Sequence, residues 1–367
     1  MATVFVRKAA YDSEKLRSQV FELLSGSDPT LIRRGGTVLV KPNFLAPAAP
    51  DRAVTTHPLI IRSVVEYVLE MGGRPLVADS PAMGSFDRVM REGGVTEALK
   101  GLPVDCRPFK ESTIVDVGPP FHKVEIAADA MNADAVINLP KLKTHTQMLL
   151  TLGVKNMFGC IVGTRKPEWH FRVGIDQERF AELLVRICAA VRPRVTLLDG
   201  VLAMEGPGPG TGGTPRAIGV IMASADAVSL DVAVCRMLGL REDDLLTNRV
   251  AARAGLLPGP IAIDGDLPPV RDMRLPTMTP LVFGPRLLHR FMRKHLVQRP
   301  VCDAELCIHC GECWTYCPAK AISRETRGLG FDYDACIRCY CCVEVCPHGA
   351  ITARETPAGR LVRRLLR

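Results

Sequence analysis

The sequence predicts an α/β fold, a mostly parallel sheet flanked by helices, followed by a small α+β module. Two observations carry this. Short β-branched runs alternate with helical stretches through residues 1–255. Beyond residue 300, a cysteine-rich unit repeats itself at an offset of 29 residues, Cys307–Ile322 onto Cys336–Ile351.

The elements follow in order. VLVKPNF (38–44) is a buried-strand run that ends in a loop. Ile60, Ile61, Val64, Val65 and Val68 then recur at helical spacing, and Gly72-Gly73 supplies the stop. PLVADS (75–80), ADAVINLP (133–140), VTLLDG (195–200) and AIGVIMAS (217–224) read as further strands, and Arg179–Val191 and Ser229–Leu238 as helices. Ligands of such sheets favour loops at the carboxyl ends of strands. That rule selects Lys41-Pro42-Asn43, Asp79-Ser80, Lys141 to His145, and Asp199-Gly200. The proline-rich stretch after residue 255 suits a linker. A basic amphipathic helix follows, with Leu287, Leu288, Phe291, Met292, His295 and Leu296 on one face. The expected organisation is an α/β domain over 1–255, the linker and basic helix over 256–300, the small module over 301–354 and a basic tail over 355–367.

Composition bounds the function. A chain of 367 residues that is 47% hydrophobic and 23% charged is globular rather than disordered. The first residues lack a secretory pattern, and no run of about 18 uncharged apolar residues occurs, so a cytoplasmic protein without a transmembrane segment is expected. Of the net charge of +8, residues 284–299 carry +5 and 354–367 carry +4, leaving −1 elsewhere. Nucleic-acid binding is therefore not implied. The two basic segments suit either balancing the negative charge of bound clusters or steering an acidic electron-donor or acceptor protein, and docking onto the large domain and peripheral membrane contact are rival uses for them.

The repeat reads Cys307-x2-Cys310-x2-Cys313-x3-Cys317-Pro and Cys336-x2-Cys339-x2-Cys342-x3-Cys346-Pro. Three thiolates on a tight loop grip three corners of a cubane, and the fourth corner needs a ligand from elsewhere. In such doubled runs the fourth cysteine serves the other cluster. Cys307, Cys310, Cys313 and Cys346 are thus expected to hold one 4Fe-4S cluster, and Cys336, Cys339, Cys342 and Cys317 a second. A zinc ribbon also uses paired cysteines, but does not require the doubled four-cysteine run. This part resembles bacterial two-cluster ferredoxins over about fifty residues. Cys341 and Cys302 fall outside the pattern as spare thiols, and Cys106, Cys160, Cys188 and Cys235 read as buried small hydrophobes.

Residues 135–167 contain no acid, while Lys141, Lys143, Lys155, Arg165 and Lys166 give +5. Lys141, Lys143 and His145 alternate, so an extended backbone points them to one face. Such a constellation can hold a carboxylate, a phosphate or an enolate-like anion, with His145 transferring protons and Asn156 orienting the bound molecule. A solvated basic surface is the plain alternative. The loop Glu205–Arg216 contains G-x-G-x-x-G, but a strand-like segment follows it and Pro209 interrupts it, which argues against a dinucleotide site. It remains a candidate lining loop or lid.

VKPNF, Thr56-His57-Pro58, VADS, NLPKLKTH, TLGVKNMFG and LLDG with the EGPGPG loop resemble the domain-of-unknown-function-362 family over roughly residues 36–240. The resemblance implies an α/β domain with a shared polar site and cluster-dependent redox work. It maps Lys41, Asn43, Asp79, Lys141, Lys143, His145, Lys155, Asn156, Asp199 and Glu205 to that site. The expected function is an iron–sulfur oxidoreductase that passes electrons through its clusters to an anionic small molecule. The alternatives are a non-catalytic electron-transfer or assembly subunit, and a non-redox enzyme with structural or sensing clusters.

Overall fold

The computed structural model describes residues 2–163, 165–173, 176–257, 259–276 and 286–365. In chain order the strands of the large body are β1 (Ala2–Lys8), β2 (Thr37–Pro42), β3 (Arg74–Asp79), β4 (Asp105–Pro108), the hairpin β5 (Ser112–Asp116) and β6 (Lys123–Ala127), β7 (Ala135–Leu139), β8 (Lys141–His145), β9 (Leu149–Thr151), β10 (Val195–Glu205), β11 (Thr214–Ser224) and β12 (Ile261–Asp264). All but the hairpin join one sheet of order β12-β1-β11-β10-β7-β2-β3-β4, with β8 pairing both β10 and β9. Only β11 against its two neighbours, and β9 against β8, run antiparallel.

Both faces of this sheet are covered, and β2 shows why its sequence is a continuous apolar run. Val38 and Val40 pack with Leu16, Ile60 and Val64 on one side; Leu39 packs with Phe158, Phe180 and Leu184 on the other. The helix Pro58–Glu70 begins with proline at its first turn and with His57 as cap, and Gly72, at φ +78, turns the chain after it. The helices at Gln177–Val191 and Ala227–Met237 also lie where the periodicity places them. β10 runs five residues past the turn expected at Gly200, through an irregularity between Gly200 and Leu202.

One expectation needs correction. Part of the linker belongs to the α/β body: β12 pairs in parallel with β1, and Leu267, Val270, Met273 and Leu275 pack on its core. Four strand residues among prolines are too short a signal to read. The rest of that linker, 277–285, lies outside the described residues, and the basic helix follows as Arg286–His295. The basic tail is helical over Pro357–Leu365.

The small module contains β13 (Arg299–Cys302), β14 (Ile322–Arg324), β15 (Leu329–Phe331) and β16 (Ile351–Arg354), paired 13 with 16 and 14 with 15, and one short helix in each half, Glu312–Thr315 and Cys341–Glu344. It docks on the glycine–proline loop after β10. Thr211 Oγ1 donates to the Cys346 carbonyl at 2.8 Å, and Arg52 Nη2 to the Thr211 carbonyl at 3.2 Å. The loop must be bare to approach so closely: a Cβ on Gly210 would lie 2.6 Å from the Glu344 carbonyl oxygen. Gly210→Ala is therefore expected to weaken docking by about 1–3 kcal/mol, the usual cost of overpacking. Hydrogen exchange should quicken at Cys341–Cys346 and stay unchanged in β2; equal protection of Cys341–Cys346 in both proteins would contradict this packing.

Candidate functional site

The carboxyl ends of β2, β3 and β7 bring the basic motif together. Lys41, Lys141, Lys143 and His145 are all within 1% of complete burial, which removes the solvated-surface alternative. Each therefore needs partners.

Lys41 Nζ pairs with Asp79 Oδ1 at 2.9 Å and donates to the Pro42 carbonyl at 2.9 Å. Asp79 also accepts from the Phe44 and Ser80 amides. Only glycine fits above this pair, because a Cβ on Gly159 would lie 2.5 Å from both charged atoms. Lys141 Nζ donates to Asp199 Oδ2 and to Tyr11 Oη, both at 2.8 Å; Asp199 further accepts from Tyr11 Oη and from the His57 amide. Lys141 and Asp199 thus neutralise each other inside the body. Neither lines the cavity described below, which corrects the expectation that Lys141 holds a ligand's charge. Glu205 is likewise engaged elsewhere, by Arg216 and Arg274, which together overcome its partial burial and hold its carboxyl down at about 2.

Lys143 Nζ donates to Asn43 Oδ1 and to the Val54 carbonyl, both at 2.7 Å. A chain of amides continues from there: Asn43 Nδ2 to Asn156 Oδ1, Asn156 Nδ2 to Asn138 Oδ1, Asn138 Nδ2 to the Gly153 carbonyl. Both ends of the Asn156 amide are used, so it orients Asn43, and through it Lys143, rather than a ligand. His145 Nδ1 accepts from the Gln147 and Met148 amides, leaving its proton on Nε2, 2.9 Å from Glu344 Oε1 but misaligned for a hydrogen bond. Burial holds this ring down to about 4. It is neutral near pH 7 and absent from the cavity wall, a correction to its role as direct proton donor; its link to the cavity is Glu344.

Between this sheet edge and the docked module lies a cavity of about 90 Å³. One wall carries Lys41, Lys143, Lys155 and Lys166; the other carries Tyr316, Cys341, Glu344 and Val345. Lys155 makes no hydrogen bond or ion pair with the described residues, and burial lowers its pKa against the pull of Glu344. Lys166 donates to the Ser80 carbonyl at 2.7 Å and to Ser80 Oγ at 2.8 Å; burial depresses it to about 7, with Asp79 acting the other way. Glu344 and Lys166 were not singled out from sequence. Lys166 sits in the acid-free run, whereas Glu344 is brought in only by docking. Cys160 is a core residue, its thiol pushed up to about 12 by burial.

The module holds two smaller cavities of about 20 Å³ each. Cys307, Cys310, Cys313 and Cys346 line the first; Cys317, Cys336, Cys339 and Cys342 line the second, so the fourth cysteine of each run crosses over. All eight thiols are free, and the remaining wall is largely apolar. Four thiols around each largely apolar cavity fit the thiolate donors that a 4Fe-4S cluster takes. Cys341 lines both the second of these cavities and the basic cavity.

Residues 38–236 match the family described as "Domain of unknown function (DUF362)", and residues 298–350 match a 4Fe-4S dicluster domain. A protein of Synechocystis sp., named a thylakoid-associated protein, is 36% identical over 303 residues, covering 80% of this chain and 94% of its own. Two solved structures are more distant. The apoprotein of lactate racemase from Thermoanaerobacterium thermosaccharolyticum shows 10% identity and a TM-score of 0.43 over 63% of this chain and 55% of that one. A protein from Thermotoga maritima shows 12% identity and a TM-score of 0.35 over 57% and 54%.

Lys166 gives the cavity a pH dependence. The ammonium is charged below about 7 and neutral above it. Sulfate keeps its charge over this range, so its affinity should fall as pH rises from about 6 to about 8, and Lys166→Met should flatten the profile. Calorimetric titration checks this; equal slopes in both proteins would show that Lys166 does not contribute.

Proposed function

This chain belongs to the DUF362 family and carries a 4Fe-4S dicluster domain, and on that footing we propose that it is an oxidoreductase whose substrate is a small anion bound in the basic cavity. The observation that carries the reading is Cys341. It sits between two proposed ligands of the second cluster, Cys339 and Cys342, and its side also faces the cavity with Lys143 and Lys155. Whatever binds there lies against the shell of a cluster.

The proposed ligand sets are Cys307, Cys310, Cys313 with Cys346, and Cys336, Cys339, Cys342 with Cys317. Two clusters so held supply one-electron transfer when bound. The chain's own residues do the rest. Lys155, with no hydrogen bond of its own, neutralises the anion; Lys166 adds a donor; Lys41 keeps Asp79 compensated so that its carboxylate does not repel the ligand. Glu344 lines the cavity from the module side, its Oε1 2.9 Å from Nε2 of the neutral His145 ring. A pure electron carrier has no use for buried lysines lining a cavity, and this favours the enzyme over the docking subunit.

An external protein supplies or removes electrons in this reading. A cytoplasmic-side location with peripheral membrane contact fits the Synechocystis relative's name. Leu288, Phe291 and Leu361 are exposed on the two basic helices, and among the described residues no helix is long and apolar enough to cross a membrane.

Two measurements test the reading. Anaerobically prepared protein should contain about eight irons per chain. Lys155→Met should keep that iron and the cluster spectra while losing anion binding and anion-dependent reoxidation of the reduced clusters. Full reoxidation by the variant would refute the site. In a second experiment, Cys317→Ser should diminish the paramagnetic signal of the cluster on Cys336, Cys339 and Cys342. Selective loss of the Cys307 cluster instead would overturn the crossed assignment.

A further inference from the structure

We propose that Lys143 captures the carbonyl carbon of a small 2-oxo acid as an imine, with the acid's carboxylate against Lys155. This rests on the anion-site reading above and adds a covalent step to it.

Of the three fully buried lysines at the strand ends, Lys41 has Asp79 at 2.9 Å and Lys141 has Asp199 at 2.8 Å. Lys143 differs. Its nitrogen touches two neutral acceptors, Asn43 Oδ1 and the Val54 carbonyl, at 2.7 Å each, and pairs with no carboxylate among the described residues. Asn43 cannot turn its NH2 group toward the lysine without breaking the amide chain through Asn156 and Asn138, so its oxygen is held there. Two N–H bonds are thereby committed. A neutral amine has only two, and its lone pair takes a remaining direction. Lys143 is 1% exposed yet lines the cavity, so the cavity is the opening left to that lone pair.

A proton on this nitrogen would add a charge that no carboxylate contacts, beside Lys155, in a site already withdrawn from water. Desolvation next to a second cation is the setting that makes lysine a nucleophile toward carbonyl carbon. Burial first, then the neighbouring Lys155, hold its pKa well below the ordinary lysine value against the pull of Glu344 and Asp79.

The same wall defines the ligand. Lys155 calls for a carboxylate. Thr151 and His170 line the cavity, and Thr151 Oγ1 and His170 Nδ1 are buried with no hydrogen-bond partner among the described residues, which leaves them for the ligand's other oxygen. A volume of about 90 Å³ accommodates a molecule of a few heavy atoms. In the step itself the amine lone pair forms the C–N bond, the carbonyl C–O bond breaks, and the oxygen leaves as water with the two amine hydrogens. No oxidant or reductant is consumed. An imine carbon, once protonated on nitrogen, accepts electrons more readily than the carbonyl it replaces, which suits the redox reading.

The test uses the full chain, prepared anaerobically with its clusters and incubated with pyruvate and sodium cyanoborohydride. Peptide mapping by mass spectrometry should find one reduced pyruvyl adduct, on Lys143, suppressed by Lys155→Met and abolished by Lys143→Arg. The wild-type map decides the question even where a variant fails to fold. An adduct confined to Lys155 or Lys166, or none with either pyruvate or glyoxylate, would overturn the proposal. Calorimetric pyruvate binding without an adduct removes the imine and leaves the anion site standing; absence of both binding and adduct removes the imine and counts against the anion site as well.

Discussion

Burying an ammonium group is the constraint on which this structure depends. Three lysines lie without solvent at the carboxyl edge of one sheet, and the effective penalty for each such ion is several kcal/mol unless a partner offsets it. Much of the surrounding sequence follows from that need. Asp79 ends β3 where it can meet Lys41, and Asp199 lies midway along β10, opposite Lys141. Tyr11 and the His57 amide complete the shell of Asp199, tying the first loop of the chain and the start of a helix to the sheet. Gly159 stays bare so that the backbone can cover the Lys41–Asp79 pair. These pairs are fully compensated and serve the architecture. Lys143 and Lys155 are not compensated in the same way, and that difference separates the chemistry from the scaffold.

The cavity belongs to neither domain alone. Its basic wall comes from the sheet edge, and its other wall comes from both halves of the module, Tyr316 from the first and Cys341, Glu344 and Val345 from the second. The glycine–proline loop joins them. Gly208 and Gly210 each leave no room for a Cβ, the first against the Thr144 carbonyl and the second against the Glu344 carbonyl, so the loop lies flat between the β8 segment and the module helix. A loop that formally fits a dinucleotide pattern is here a joint. The close contact of His145 with Glu344 spans the same boundary and aligns the proposed ligand-bearing turn with the lysines.

The amide chain from Lys143 to Gly153 adds a second ordering principle. Asn43, Asn156 and Asn138 come from three separate segments, and each amide uses its oxygen and its nitrogen in one direction only. The hydrogen-bond sense therefore propagates, and the acceptor presented to Lys143 is set by a backbone carbonyl three links away. Asp231 steadies the far end by accepting from the Gly153 and Val154 amides. A fully satisfied buried network of this kind holds a single geometry, because reversing any one amide leaves unpaired polar groups in a low-dielectric interior.

The sequence by itself determined the elements whose signal is local. Eight cysteines at fixed short spacing announce their chemistry without reference to the rest of the chain. β2, β3, β7 and the helix Pro58–Glu70 are legible because burial on both faces, or on one stripe, writes its period into consecutive residues. The alternation of Lys141, Lys143 and His145 correctly placed them on one extended segment. Only the tertiary structure decided what each does there. Lys141 is neutralised by Asp199, 58 positions away, and Asn156 is occupied by Asn43, 113 positions away, so neither is free for a ligand. Glu344 joins the site from beyond the linker with no motif to mark it. Partner choice for a buried charge depends on distances that the fold closes, and sequence spacing carries no record of those distances.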